Sequence, residues 1–89
     1  MVKLARSPEQ IGNVIRRARK NSGMSQSKLG EKAGLRQETI SLIEKGNSAA
    51  KLETILSILS ALDLELQISK RTAISLGEIL GEALDNGTD

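Results

Sequence analysis

"SQSKLGEKAGLRQETISLIE", Ser25 to Glu44, decides how the rest of the chain is read. Behind Ser25, a good helix-capping residue, Leu29 and Ala33 recur at helical spacing, and Ile40 and Ile43 do the same further on. Gly34 stands between the two patterns and supplies a turn at positive φ. The spacing predicts one helix from Gln26 to Ala33 and another from Gln37 to Lys45, ended by Gly46. The second opens on Arg36, Gln37, Glu38 and Thr39, a polar head on a helix whose inner side is apolar.

On the N-terminal side, Ser7-Pro8-Glu9-Gln10 combines an N-cap, a proline at the first helical position, an acid in the first turn and a capping-box glutamine. Ile11, Val14, Ile15 and Ala18 continue at helical spacing towards Gly23, predicting a helix over 8–21. On the C-terminal side, Leu52, Ile55, Leu56, Leu59 and Leu62 form the strongest apolar stripe in the chain. Its start is poorly capped, because neither Ala50 nor Lys51 suits that position.

The period then changes from 3.6 to 2. Leu64, Leu66 and Ile68 alternate with Glu65, Gln67 and Ser69, which predicts a half-buried strand. A lone strand cannot satisfy its own backbone, so the reading is a ribbon paired with the same strand of a second copy; an irregular extended segment on the bundle is the alternative. Beyond Lys70-Arg71, Ile74, Ile79, Leu80, Ala83 and Leu84 suggest a short amphipathic helix weakened by Gly77 and Gly81, with disorder expected from Asp85 onward.

Composition narrows the function classes. The 89 residues include no Phe, Tyr, Trp, Cys or His. The core must therefore be aliphatic, as in a helical bundle, and disulfides, thiolate or imidazole chemistry, ordinary zinc sites and aromatic stacking platforms are all ruled out. No Gly-rich phosphate loop or paired-carboxylate spacing points to an enzyme, and no cofactor or metal is implied. There is no apolar run for a membrane span or a signal peptide, so a cytoplasmic protein is expected. Net charge is +2, yet residues 1–51 carry +7 and residues 52–89 carry −5. This asymmetry suits a basic face for a polyanion, or an ordinary mixed surface. A domain this small also leans readily on a second copy for stability.

Two short helices about a glycine-bearing turn, the second with a polar head, make a helix-turn-helix unit. In such a unit the second helix presents its N-terminal residues to base edges in the major groove. The segment resembles the Xre/Cro/CI-type helix-turn-helix family in Gln26, Leu29-Gly30, Gly34, Gln37, Thr39-Ile40-Ser41 and Glu44 before Gly46, with the likeness extending over about residues 9–63. The resemblance implies a mainly α, lambda-repressor-like bundle of four helices. It implies base-facing roles for Gln37, Glu38, Ser41 and Leu42, and phosphate-facing roles for Gln26, Ser27, Lys28, Arg36, Thr39, Lys45 and Asn47. It also implies an internal ion pair between Arg19 and Glu44. Arg16 and Lys20 fit solvated surface as readily as phosphate contacts. The sequence departs from the family at Glu38, which either accepts from cytosine N4 or simply suits the helix N-terminus. It departs again at Gly30, where alanine is usual, and in lacking the usual Pro and Ser/Thr cap before the fourth helix.

A fourth helix running directly into the alternating "LDLELQIS" is similar to the HipB antitoxin subgroup. That resemblance implies one C-terminal β-strand pairing across a homodimer through Leu64, Leu66 and Ile68. It further implies an inverted-repeat double-stranded DNA operator, autorepression, and a HipA-like Ser/Thr kinase toxin as partner. The expected organisation is a DNA-binding domain over 8–63, a dimerisation strand over 64–70 and a tail over 72–89. A stand-alone phage-type repressor and a protein-interaction adaptor are the alternatives.

Overall fold

The computed structural model describes residues 3–47 and 49–71. Among them are four helices: α1 (Pro8–Asn21), α2 (Gln26–Ala33), α3 (Gln37–Glu44) and α4 (Leu52–Ala61). The expected tail helix around Ile74 to Leu84 lies outside the described residues.

The helix starts follow from side-chain chemistry. The hydroxyl of Ser7 accepts from the Gln10 N–H at 3.1 Å, and that of Ser25 from the Lys28 N–H at 3.0 Å, each satisfying a first-turn donor. The Gln10 amide oxygen accepts from the Arg6 N–H, so the capping box closes one residue upstream of the Ser7 N–H that the sequence suggests. At the other starts, Arg36 and Lys51 make no side-chain cap. Asn47 uses its side chain in the loop instead, where its Oδ1 accepts from the Ala49 N–H at 2.8 Å.

All four helices end in the same way. At each C-terminus a residue with positive φ (Gly23, Gly34, Gly46 and Asp63) lets the next N–H reach back to a carbonyl five residues earlier, as in Met24 to Arg19 and Leu35 to Gly30. Asn47 reaches Leu42 and Leu64 reaches Leu59 in the same pattern. Asp63, at φ 57°, takes the conformation without being glycine, which a short polar side chain tolerates. The third helix stops at Glu44, one residue before the expected Lys45, because Lys45 serves as its C-cap.

Ile15, Leu29, Ile40, Ile43, Ile58, Leu59 and Leu62 form one core, flanked by Ile11, Ala18, Met24, Leu35 and Ile55. Along α4 the buried face is centred on Ile58 rather than on the whole expected stripe, leaving Leu52 and Leu56 exposed. A stripe this wide has two flanks, and its sequence does not say which one meets the bundle. Segment 64–71 has no regular secondary structure, and among the described residues no backbone–backbone hydrogen bond engages 65–71. Regular strand structure there requires a partner that the described residues do not supply.

Two contacts fix α3 against α1. Gly12 lies against the end of α3 so closely that a Cβ there would sit 2.5 Å from the Ile43 carbonyl oxygen and 2.7 Å from that of Glu44. Beside this contact, the buried Arg19 donates from Nε to Glu44 Oε2 at 2.7 Å and from Nη2 to Oε1 at 3.1 Å. Hydrogen bonding to Glu44 raises the Arg19 pKa above its already high ordinary value, although burial pulls it down.

Replacing Gly12→Ala should destabilise the fold, against the roughly 1 kcal/mol that helix propensity alone would give alanine. The obstructing atoms are backbone, and relieving such overpacking costs about 1–3 kcal/mol, read as a lowered thermal midpoint. Arg19→Met strands the Glu44 carboxylate and should cost about 3–5 kcal/mol in urea denaturation, while Arg19→Met with Glu44→Leu should cost clearly less.

Candidate nucleic-acid interface

The helix-turn-helix unit turns one side of α3 inward and leaves the other open. Ile40 and Ile43 hold the inner side, with Ile40 fully buried. Gln37, Glu38 and Leu42 are exposed, and Ser41 is half-buried. Because residues four apart stack on one helix face, Gln37 with Ser41 and Glu38 with Leu42 make two adjacent rows. Together with Gln26 from the start of α2, these four residues line a shallow concavity. The four residues implied to face bases are thus gathered in one place, joined by one residue implied to face phosphate.

The other phosphate-facing candidates do not line this concavity. Ser27, Lys28, Arg36, Lys45 and Asn47 are exposed, and Thr39 is half-buried. Lys28 meets Glu31 at 3.4 Å, but both side chains are more than half exposed, so that pair offers little resistance to an incoming anion. α3 has no side-chain cap, and while the Thr39 N–H donates to the Arg36 carbonyl at 3.1 Å, the Gln37 and Glu38 N–H groups are left to solvent or to an anion, which the positive end of the helix dipole attracts. Leu64, Leu66 and Ile68 are exposed and take no part in the concavity.

One connection has no signal in the sequence. The Gln26 side chain donates from Nε2 to Glu44 Oε1 at 3.1 Å, across 18 positions. A carboxylate only accepts, so Glu44 fixes the amide with its nitrogen inward. Arg19 Nη1 also donates to the Met24 carbonyl at 2.8 Å, tying the α1–α2 turn to the same cluster. Glu44 therefore sets where the start of α2 stands relative to the outer face of α3. No buried side-chain polar atom among the described residues lacks a partner, so the cluster is fully satisfied.

No helix among the described residues is long and apolar enough to cross a membrane. The sequence matches the helix-turn-helix family over residues 15–69. It is 36% identical over 62 residues to two curated proteins named Antitoxin HipB, from Escherichia coli O6:H1 (strain CFT073) and Escherichia coli (strain K12). The matched segment is 70% of this chain and 66% and 70% of those relatives, so the first is spanned just short of two thirds. Among solved structures, a complex of a singly substituted HipB with an O2 20mer superposes with a TM-score of 0.75 at 29% identity, over 81% of this chain and all of the other. A HipA-HipB-O2-O3 complex gives 0.74 at 31% identity, over 80% of this chain and all of its counterpart. On its sequence and its fold, the chain belongs to the Xre-type helix-turn-helix family and is a homologue of the HipB antitoxins.

Proposed function

We propose that this chain is a sequence-specific DNA-binding repressor that works as a HipB-like antitoxin. The observation that carries the reading is the concavity in which Gln37, Glu38, Ser41 and Leu42 lie open beside Gln26, on a helix whose opposite side is packed into the core. Gln37 offers the paired donor and acceptor that match adenine N6 and N7, and the exposed cations around it match a phosphate backbone.

A homodimer is the working unit in this reading. Residues 8–63 bind DNA, 64–70 pair with the same segment of a second copy, and 72–89 form a tail. Leu66 and Ile68 are 56% and 93% exposed in the single chain, on a segment whose backbone has no ladder partner among the described residues. Both features are relieved by strand pairing. Two recognition helices in such a dimer would meet half-sites about 34 Å apart, giving an inverted-repeat operator. The protein represses its own operon, in the cytoplasm and on the nucleoid, and binds a HipA-like Ser/Thr kinase toxin. Support for the toxin is the homology to HipB and the resemblance to HipB in a complex with HipA.

The test is co-expression of the tagged chain with its neighbouring gene, followed by titration of the purified material on the upstream DNA. Recovery of a kinase-like protein, together with binding that weakens steeply as salt rises, is the expected result. Specific DNA binding with no companion would leave a stand-alone repressor, and a companion without DNA binding would leave an adaptor. Leu66→Asp with Ile68→Asp should convert the dimer to monomer in sedimentation without unfolding the helices; an intact dimer would reject the strand-paired arrangement.

A further inference from the structure

We propose that Leu42 is a specificity-determining residue that reads the 5-methyl group of thymine. The inference deepens the DNA-binding reading above and rests on it. Leu42 stands between the core residues Ile40 and Ile43 in sequence, yet it is 49% exposed, against 0% for Ile40 and 4% for Ile43. A single exposed leucine is ordinary on a protein surface. What sets this one apart is its place, as the apolar member of a concavity whose other lining side chains are Gln26, Gln37, Glu38 and Ser41.

In the major groove, every base edge presents hydrogen-bonding groups, and thymine alone adds an apolar one, its C5 methyl. Pressed against a phosphate or a bare donor–acceptor edge, the Leu42 side chain would strip water from polar groups and return no hydrogen bond. Against a thymine methyl, both partners lose apolar surface to each other, which is favourable. The polar side chains of the concavity can meet hydrogen-bonding edges, whereas Leu42 is its one apolar side chain. The methyl of thymine is the base group that matches it.

The experiment begins with selection of bound duplexes from a random pool, using the full chain. Each thymine of the selected site is then replaced by uracil, which removes the methyl and leaves base pairing intact. Binding of the unaltered protein should weaken about three- to fivefold at one thymine in each half-site, the loss expected for one methyl group. Leu42→Ala should show no such difference between thymine and uracil there, while retaining its helical circular dichroism. Sensitivity that persists in Leu42→Ala would overturn the assignment. So would equal binding of every uracil duplex by the unaltered protein, or a selected site without thymine. Failure to enrich any sequence would overturn the DNA-binding reading and this inference with it.

Discussion

Glu44 accepts hydrogen bonds from Arg19 on α1 and from Gln26 at the start of α2, at the point where α3 ends. Arg19 in turn holds the Met24 carbonyl in the α1–α2 turn. A buried charge is costly, and pairing seldom makes it more stabilising than an apolar replacement would be. Its use here is positional. Burial of aliphatic side chains is non-directional. The carboxylate adds directed hydrogen bonds that tie the start of α2 and the α1 arginine to the end of α3.

The close approach of Gly12 to the end of α3 belongs to the same constraint. A side chain at that position would push α1 away from the Ile43 and Glu44 carbonyls, and Arg19 would have to follow. Gly30 does the equivalent work between α2 and the turn, where a Cβ would sit 2.7 Å from the Leu35 carbonyl oxygen. The departure from the family's alanine thus comes with a tight passage of the chain at Leu35. Both glycines lower helix propensity and in exchange permit backbones to touch.

Helix starts were legible in the sequence wherever a side chain caps them, as at Ser7 and Ser25, and helix ends wherever glycine marks them. These signals are local, so a single chain carries them openly. The α4 face was less legible, since Leu52, Ile55, Leu56, Leu59 and Leu62 satisfy helical spacing on either flank and only the position of α2 selects Ile58 as its centre. The Gln26–Glu44 contact was not legible at all, because nothing in two residues 18 positions apart announces a shared hydrogen bond. The alternation over 64–69 is plain in the sequence, but regular strand structure depends on another segment, which the described part of one chain does not provide. For the concavity, the resemblance singled out four of the residues that line it, while the geometry added Gln26.

The three-residue connection between α2 and α3, Gly34 to Arg36, also limits how this protein can change in length. One inserted residue that lengthened α3 at its head would turn each later position by about 100°. Thr39 and Leu42 would take the core positions of Ile40 and Ile43, and Glu44 would move off its place opposite Arg19, so the packing of α3 and its exposed outer face would be lost together. A residue added between Asn47 and Lys51, where α4 begins without a side-chain cap, meets no such coupling. Length variation among relatives of this chain should therefore gather in the α3–α4 loop and spare the turn before α3.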